Sequence, residues 1–205
     1  MQVKESSDEL NPVVATEPMP RPKRVGDYLA LAIATCGVGY LPVAPGTWGS
    51  LVGVALYLLL WGFAQTVLFS NAAIHKFTLL QVWTPAITVM LVAVFFVTMA
   101  GIWAASRTEK LLRRKDPGVV VIDEVAGQMI ALLSGPFWVH TWWSVLTAFL
   151  LFRAFDIWKP YPIRRFEALE SGLGVMADDI GAGAYALIVN SVLITLYLLF
   201  VPGGG

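Results

Sequence analysis

The chain has 205 residues, its 14 Lys+Arg balance its 14 Asp+Glu, and 57% of its residues are hydrophobic while only 14% are charged. A soluble domain carries about a quarter charged residues, so this composition, with a mean hydropathy of +0.70, excludes an ordinary water-soluble fold and points to a membrane. Zero net charge says nothing about nucleic acid, but no DNA- or RNA-binding motif appears, so no nucleic-acid partner is expected; a single cysteine excludes an internal disulfide.

Residues 1 to about 27 are polar, then proline-rich, and end in Arg21, Lys23 and Arg24. No basic segment leads directly into an apolar core, so this is a disordered cytoplasmic tail, not a cleaved signal peptide. Residues 28–205 then read as one membrane-embedded domain. Between Asp27 and Arg107 the only ionisable side chains besides Cys36 and the tyrosines are His75 and Lys76. The apolar blocks run at about 28–41, 48–64, 85–105, 125–152 and 180–201. A helical span needs about 20 apolar residues. Blocks two, three and five meet this, block two with help from residues 67–69. Block one is short and ends at Pro42 and Pro45, which suits a re-entrant segment. Block four is too long for one helix and holds Ser134-Gly135-Pro136. It reads as a hairpin with arms at about 123–133 and 138–158. The predicted fold is therefore all-α: a polytopic membrane bundle with a re-entrant N-terminal segment and a helical hairpin.

Basic residues cluster at 21–24, 107–115 and 153–165, whereas the predicted 65–84 loop holds Lys76 alone. The positive-inside rule puts the three clusters in the cytoplasm, and the span count agrees. Tryptophans 138, 142, 143 and 158 read as an interfacial belt, and Gly181 and Gly183 as close helix packing.

Acids occur at three places. Asp123 and Glu124 open block four, Asp156 lies between Arg153 and Lys159 at i, i+3 and i+6, and Asp178 and Asp179 open the last span. Each alone reads equally well as a helix-end acid favouring the dipole or as an interfacial ion-pair ladder. Together they put five carboxylates at one membrane surface beside cations, more than capping requires. Such a set suits Mg²⁺, an oxygen-seeking ion that shares its shell with substrate phosphate. Asp123, Glu124, Asp156, Asp178 and Asp179 are the candidate metal ligands or bases. Arg153, Lys159 and Arg164 are the candidate phosphate-binding cations. The loop "VAPGTWGS" adds Gly46, Thr47, Gly49 and Ser50 at a helix N-terminus, where backbone amides and hydroxyls suit a phosphate; it has no lysine and is not a Walker loop. His75 and His140 fall on the far side.

Four stretches, "PGTWGSL", "IDEVAGQMIAL", "RAFDIWKPYPIRRFE" and "GLGVMADDIGAG", in that order, resemble the phosphatidylglycerophosphatase A family from about residue 28 onward. The resemblance implies a multi-pass enzyme of the bacterial inner membrane, its site facing the cytoplasm. It implies Mg²⁺-dependent removal of the terminal phosphate of phosphatidylglycerophosphate to give phosphatidylglycerol, a step of phospholipid metabolism. Its substrate is then a phospholipid; oligomeric state is not legible. Asp123, Glu124, Asp156, Lys159 and Asp179 are the expected catalytic residues, with either metal-bound water or an aspartate as nucleophile. Two rivals fit less well. A CDP-alcohol phosphotransferase would carry an Asp-x-x-Asp-Gly-x-x-Ala-Arg pattern, missing here, and a transporter or cation channel would hold its acids at mid-span.

The topology is testable. In a Cys36→Ser background, single cysteines at Val25, Lys110 and Arg165 should all be protected from an impermeant thiol reagent in intact cells. Labelling of 110 or 165 alone from outside contradicts this arrangement.

Overall fold

The computed structural model describes residues 24–75, 78–134, 141–166, 169 and 172–200. These form helices α1 (Val25–Thr35), α2 (Pro45–His75), α3 (Leu79–Leu112), α4 (Ile122–Ala131), α5 (Trp142–Trp158), α6 (Ile163–Phe166) and α7 (Gly172–Phe200), with a 3-10 turn at Val38–Tyr40. Among the described residues there is no strand, and the fold is the all-α bundle that the apolar blocks predict.

Three segments are long and apolar enough to cross a membrane: Pro45–Val67, Thr84–Leu112 and Gly172–Phe200. The shortest has 23 residues, about 35 Å at 1.5 Å per residue, against a hydrocarbon core of about 30 Å. Leu59 and Phe63 on α2, Phe95 and Phe96 on α3, and Leu199 and Phe200 on α7 are all more than half exposed. A folded chain leaves such side chains outward when its solvent is lipid. At 11 residues α1 is too short to cross. Its Asp27 is buried and accepts from Arg107 of α3, Nε at 2.8 Å and Nη2 at 2.6 Å, which ties α1 to the end of α3.

The expected hairpin appears as α4 and α5; residues 135–140 and His140 lie outside the described residues. Three local readings are corrected. The stretch 65–84 is not one loop: α2 continues to His75, and α3 begins behind a Thr78/Gln81 capping box, with Thr78 N–H donating to Gln81 Oε1 at 2.8 Å. Val25, Gly26 and Asp27, assigned to the tail, belong to α1; residues 1–23 are outside the described residues. Lys159 does not continue the face of Arg153 and Asp156. It is the C-cap of α5, in the left-handed region at φ 47°, and its ammonium pairs with Asp178 of α7.

α4 occupies the centre. It packs against α2, α3, α5 and α7, and Ile122, Asp123, Val125, Ala126, Gly127, Gln128, Met129 and Ala131 are all buried. A helix apolar on nearly every side belongs inside. Its crossing with α7 is unusually close: a Cβ on Gly183 would run into the Gly127 carbonyl oxygen, and one on Gly127 would lie 2.6 Å from the Asp179 carbonyl oxygen. The far end of α4 is tied by a buried polar knot. Asn190 of α7 donates to Ser134 Oγ at 2.5 Å and to the Ser144 carbonyl at 3.2 Å, and accepts from Thr147 at 2.6 Å. Such bonds hold membrane helices together where apolar contact favours helix and lipid equally.

Asn190→Leu keeps the branched heavy-atom shape and removes the partner of the Ser134 hydroxyl, while Thr147 keeps the Ser144 carbonyl at 3.1 Å. A loss of about 1–2 kcal/mol is expected, read as a fall of about 2–8 °C in the thermal midpoint in detergent. An unchanged midpoint would mean the knot holds nothing.

Candidate functional site

Four helix ends meet at one end of α4. The turn before α4 is fixed by Val120 N–H to the Pro117 carbonyl and Val121 N–H to the Ala34 carbonyl, both 2.8 Å. The helix N-cap is Val121, with no side-chain cap, so Asp123 and Glu124 lie inside the first turn. They are not N-caps. Asp178 and Asp179 are six and seven residues past the start of α7 and are buried, so they do not cap that helix either.

The Asp123, Glu124 and Asp179 carboxylates each offer one oxygen, and these oxygens lie within 4.8 Å of one another. Asp123 Oδ1 and Glu124 Oε2 are buried without a hydrogen-bond partner. Buried acceptors left unmet are costly, about 1–3 kcal/mol each or more when charged, so these atoms fit a site made to receive a cation. The donors are all carboxylate oxygens, the set a hard divalent ion such as Mg²⁺ prefers. Asp156 stands beside Asp179 within hydrogen-bond reach. Of the five acids named from sequence, three thus share one oxygen cluster, Asp156 lies beside Asp179, and Asp178 precedes it on α7.

Two of them are engaged by cations. Arg153 Nη1 is 2.7 Å from Asp156 Oδ2, and Lys159 Nζ is 2.5 Å from Asp178 Oδ2. Asp178 Oδ1 also accepts the Asp179 N–H at 3.1 Å. The outer pair is thus held by cations while the inner three converge on one another. α2 brings its N-terminus against this cluster. A Cβ on Gly46 would run into Glu124 Oε1 and lie 3.1 and 3.2 Å from the two terminal nitrogens of Arg153; one on Gly49 would lie 3.3 Å from Glu124 Cβ. Glycine at both positions is the steric condition for the helix end to reach the acids. Ser50 differs from expectation: it is fully buried, and its hydroxyl donates to the Gly46 carbonyl at 2.9 Å. It is spent inside α2. Thr47 is half-buried in the first turn. Arg164 is exposed on α6 and is not drawn to the acids by any described contact.

Asp116 is a residue that sequence reasoning passed over. It is in the left-handed region at φ 45° and its N–H donates to Glu109 Oε1 at 2.9 Å. It lies within electrostatic reach of Asp123. Among the described residues, Ala44, Asp116 and Lys159 border the site at positive φ; such conformations cost of order 1 kcal/mol each and gather at functional sites. The signal available was Asp116-Pro117-Gly118, a turn triplet hidden at the end of a basic run.

Burial, and then the neighbouring Glu124 and Asp179 charges, push the Asp123 carboxyl well above the usual carboxylate range. Burial also raises Glu124, a rise its hydrogen bond with Asp123 partly offsets. A raised folded-state pKa means that the metal-free fold binds the proton more tightly than the unfolded chain. Stability is then lost as pH climbs from the ordinary range through the raised value. Metal-free Asp123→Asn should therefore be more thermally stable than the parent at pH 8, with the gap closing as pH falls, and should lose the stabilisation that added Mg²⁺ gives the parent. An acid serving only the helix dipole predicts the opposite sign, a loss of about 0.3–1 kcal/mol. Thermal midpoints with and without Mg²⁺ decide between the two.

The family model for "Phosphatidylglycerophosphatase A" matches residues 31–194. A Bacteroides thetaiotaomicron protein provisionally named phosphatidylinositol-3-phosphatase is 41% identical over 80% of this chain and 93% of its own. Two proteins named phosphatidylglycerophosphatase A are also similar. That of Haemophilus influenzae is 36% identical over 75% of this chain and 80% of its own. That of Escherichia coli is 32% identical over 72% of each. No solved structure matches. The acid cluster, the glycine-fronted α2 end and the cations of α5 all fall inside the matched residues, and the chain belongs to the phosphatidylglycerophosphatase A family, a family of phosphoric monoester hydrolases.

Proposed function

We propose that this chain hydrolyses the terminal phosphate monoester of phosphatidylglycerophosphate, yielding phosphatidylglycerol and inorganic phosphate, with Mg²⁺ held by Asp123, Glu124 and Asp179. The observation that carries this reading is the convergence of three carboxylates, two buried and one half-buried, with two unmet oxygens at the foot of a glycine-fronted helix end. Bound Mg²⁺ supplies charge neutralisation of the acids and polarisation of the phosphoryl oxygens.

The side chains divide the remaining work. Arg153, held near Gly46 by its pairing with Asp156, faces the position a phosphate takes at the α2 N-terminus. There the Gly46 amide and the positive dipole end add to it, while the Thr47 N–H is taken by the Ala44 carbonyl at 2.9 Å. Lys159 balances Asp178 and supplies a second cation for charge developing on the phosphoryl oxygens. Asp156, beside Asp179, orients Arg153 and is placed to accept a proton. Water adds across the ester: the phosphorus–oxygen bond to glycerol breaks, the leaving oxygen takes a proton, and phosphate departs. The acyl chains stay in the bilayer, where α2, α3 and α7 turn apolar faces outward. The site would face the cytoplasm of a bacterial inner membrane, with α1 and the α4–α5 hairpin entering without crossing.

A second reading follows from the 41% identical relative: the monoester of phosphatidylinositol 3-phosphate as substrate. Both lipids present a phosphate monoester on a polyol joined to a phosphodiester.

Phosphate release from each lipid by the purified chain, with Mg²⁺ and with a chelator, tests the proposal. Release from phosphatidylglycerophosphate that stops on chelation is expected. Release only from phosphatidylinositol 3-phosphate selects the second reading, and none from either lipid overturns both. Lys159→Met and Arg153→Met should each lower kcat by about 10²-fold, as lost transition-state contacts do.

A further inference from the structure

An open cleft of about 420 Å³ lies beside the acid cluster, lined by Lys115 and Asp116 from the α3–α4 connection and by Gly174, Val175 and Asp178 of α7. The phosphate chemistry described above does not use it. Its inner wall is shared with the site, since Asp178 carries Lys159 on one oxygen and the Asp179 N–H on the other. Its outer lip is positioned, not loose: the Asp116 N–H is bonded to Glu109 Oε1 at 2.9 Å, which pins the connection to the end of α3.

We propose that this cleft seats the part of the lipid headgroup that does not react, with Lys115 pairing the phosphodiester and Asp116 accepting from a polyol hydroxyl. The inference rests on the phosphatase reading and deepens it. A phosphate held at the α2 end and the inner acids is the same chemical group in every phosphomonoester. Discrimination must come from what is attached to it. In either candidate lipid that attachment is a hydroxyl-bearing polyol followed by a phosphodiester that stays anionic. A cleft offering one cation, one carboxylate acceptor and the apolar Val175 wall, one residue pair away from the reacting cluster, matches that order of groups. The carboxylates alone would repel a phosphodiester; the lysine at the lip and the neutralisation of Asp178 by Lys159 remove that objection. Read from sequence, Lys115 is one of several topology-setting cations. Both Lys115 and Lys110 are exposed, but Lys115 lies on this cleft whereas Lys110 lines a different one on α3.

Binding of the dephosphorylated lipid isolates this contact, because phosphatidylglycerol keeps the polyol and diester and lacks the monoester. Calorimetric titration of the full chain in detergent with dihexanoyl-phosphatidylglycerol, dihexanoyl-phosphatidylinositol and inorganic phosphate reads it without turnover. Lys115→Met should weaken the lipid that wild type prefers by about tenfold, the order expected for one charge-assisted contact, and leave inorganic phosphate unchanged. Lys115→Arg should restore it, Asp116→Asn should bind better than Asp116→Ala, and Lys110→Met should match wild type. In kinetics the same loss appears in KM with kcat within about twofold. Which lipid arm responds tells glycerol from inositol. Unchanged lipid binding in Lys115→Met, an equal loss for inorganic phosphate, or an equal loss in Lys110→Met overturns the proposal. A wild-type chain that releases no phosphate from either substrate overturns the phosphatase reading instead, while the binding result still judges the cleft.

Discussion

Three carboxylates pushed together inside a protein are the constraint around which this fold is arranged. Two unit charges at 4.8 Å, the separation that bounds the Asp123, Glu124 and Asp179 oxygens, repel by about 3–4 kcal/mol at an effective dielectric of about 20. A chain selected only for stability would not keep such a group. The α4–α7 crossing that enforces it depends on Gly127 and Gly183, where any side chain would meet backbone. The cations do not dissolve the conflict: Arg153 is engaged by Asp156 and Lys159 by Asp178, the two outer acids. The repulsion among the inner three is left for a divalent ion to relieve.

The surrounding structure serves that arrangement. α4 is short because it need not cross the membrane; it has to carry two adjacent acids to a buried point and be gripped there. Adjacent helix positions point about 100° apart, so Asp123 turns toward Asp179 while Glu124 turns toward Gly46 and Arg153. One helix turn thereby joins the α7 side of the site to the α2 side. The Asn190 knot holds the other end of α4, and the Asp27–Arg107 pair holds α1 against the end of α3. The long helices present lipid with the apolar faces that their hydropathy requires.

Much of this was legible in the sequence. Charge-free runs gave the three long helices, and the break at Ser134–Pro136 gave the hairpin, because hydropathy and helix breakers act locally. The five acids were legible as a set because charged side chains are rare in such a chain and each costs free energy there. What stayed hidden depends on tertiary geometry. The i, i+3, i+6 spacing suggested that Lys159 joins Arg153 and Asp156, but a helix ending at Trp158 redirects it to Asp178. Ser50 looked like a phosphate donor until burial turned its hydroxyl onto Gly46. Asp116 and Lys115 were masked by the basic run around them, and Gly127 by the apolar run around it. No local pattern marks a residue whose importance comes from what packs across from it.

The central claim is that the three inner carboxylates form one cation site. Binding of Mn²⁺ in place of Mg²⁺, followed by electron paramagnetic resonance on the purified chain and on Asp179→Asn, tests it most directly, because the variant alters the α7 contribution and leaves the α4 pair intact. The account predicts saturable uptake by the parent, competed by Mg²⁺, and its loss in the variant while the helical circular dichroism stays the same. Equal uptake by both proteins would contradict it.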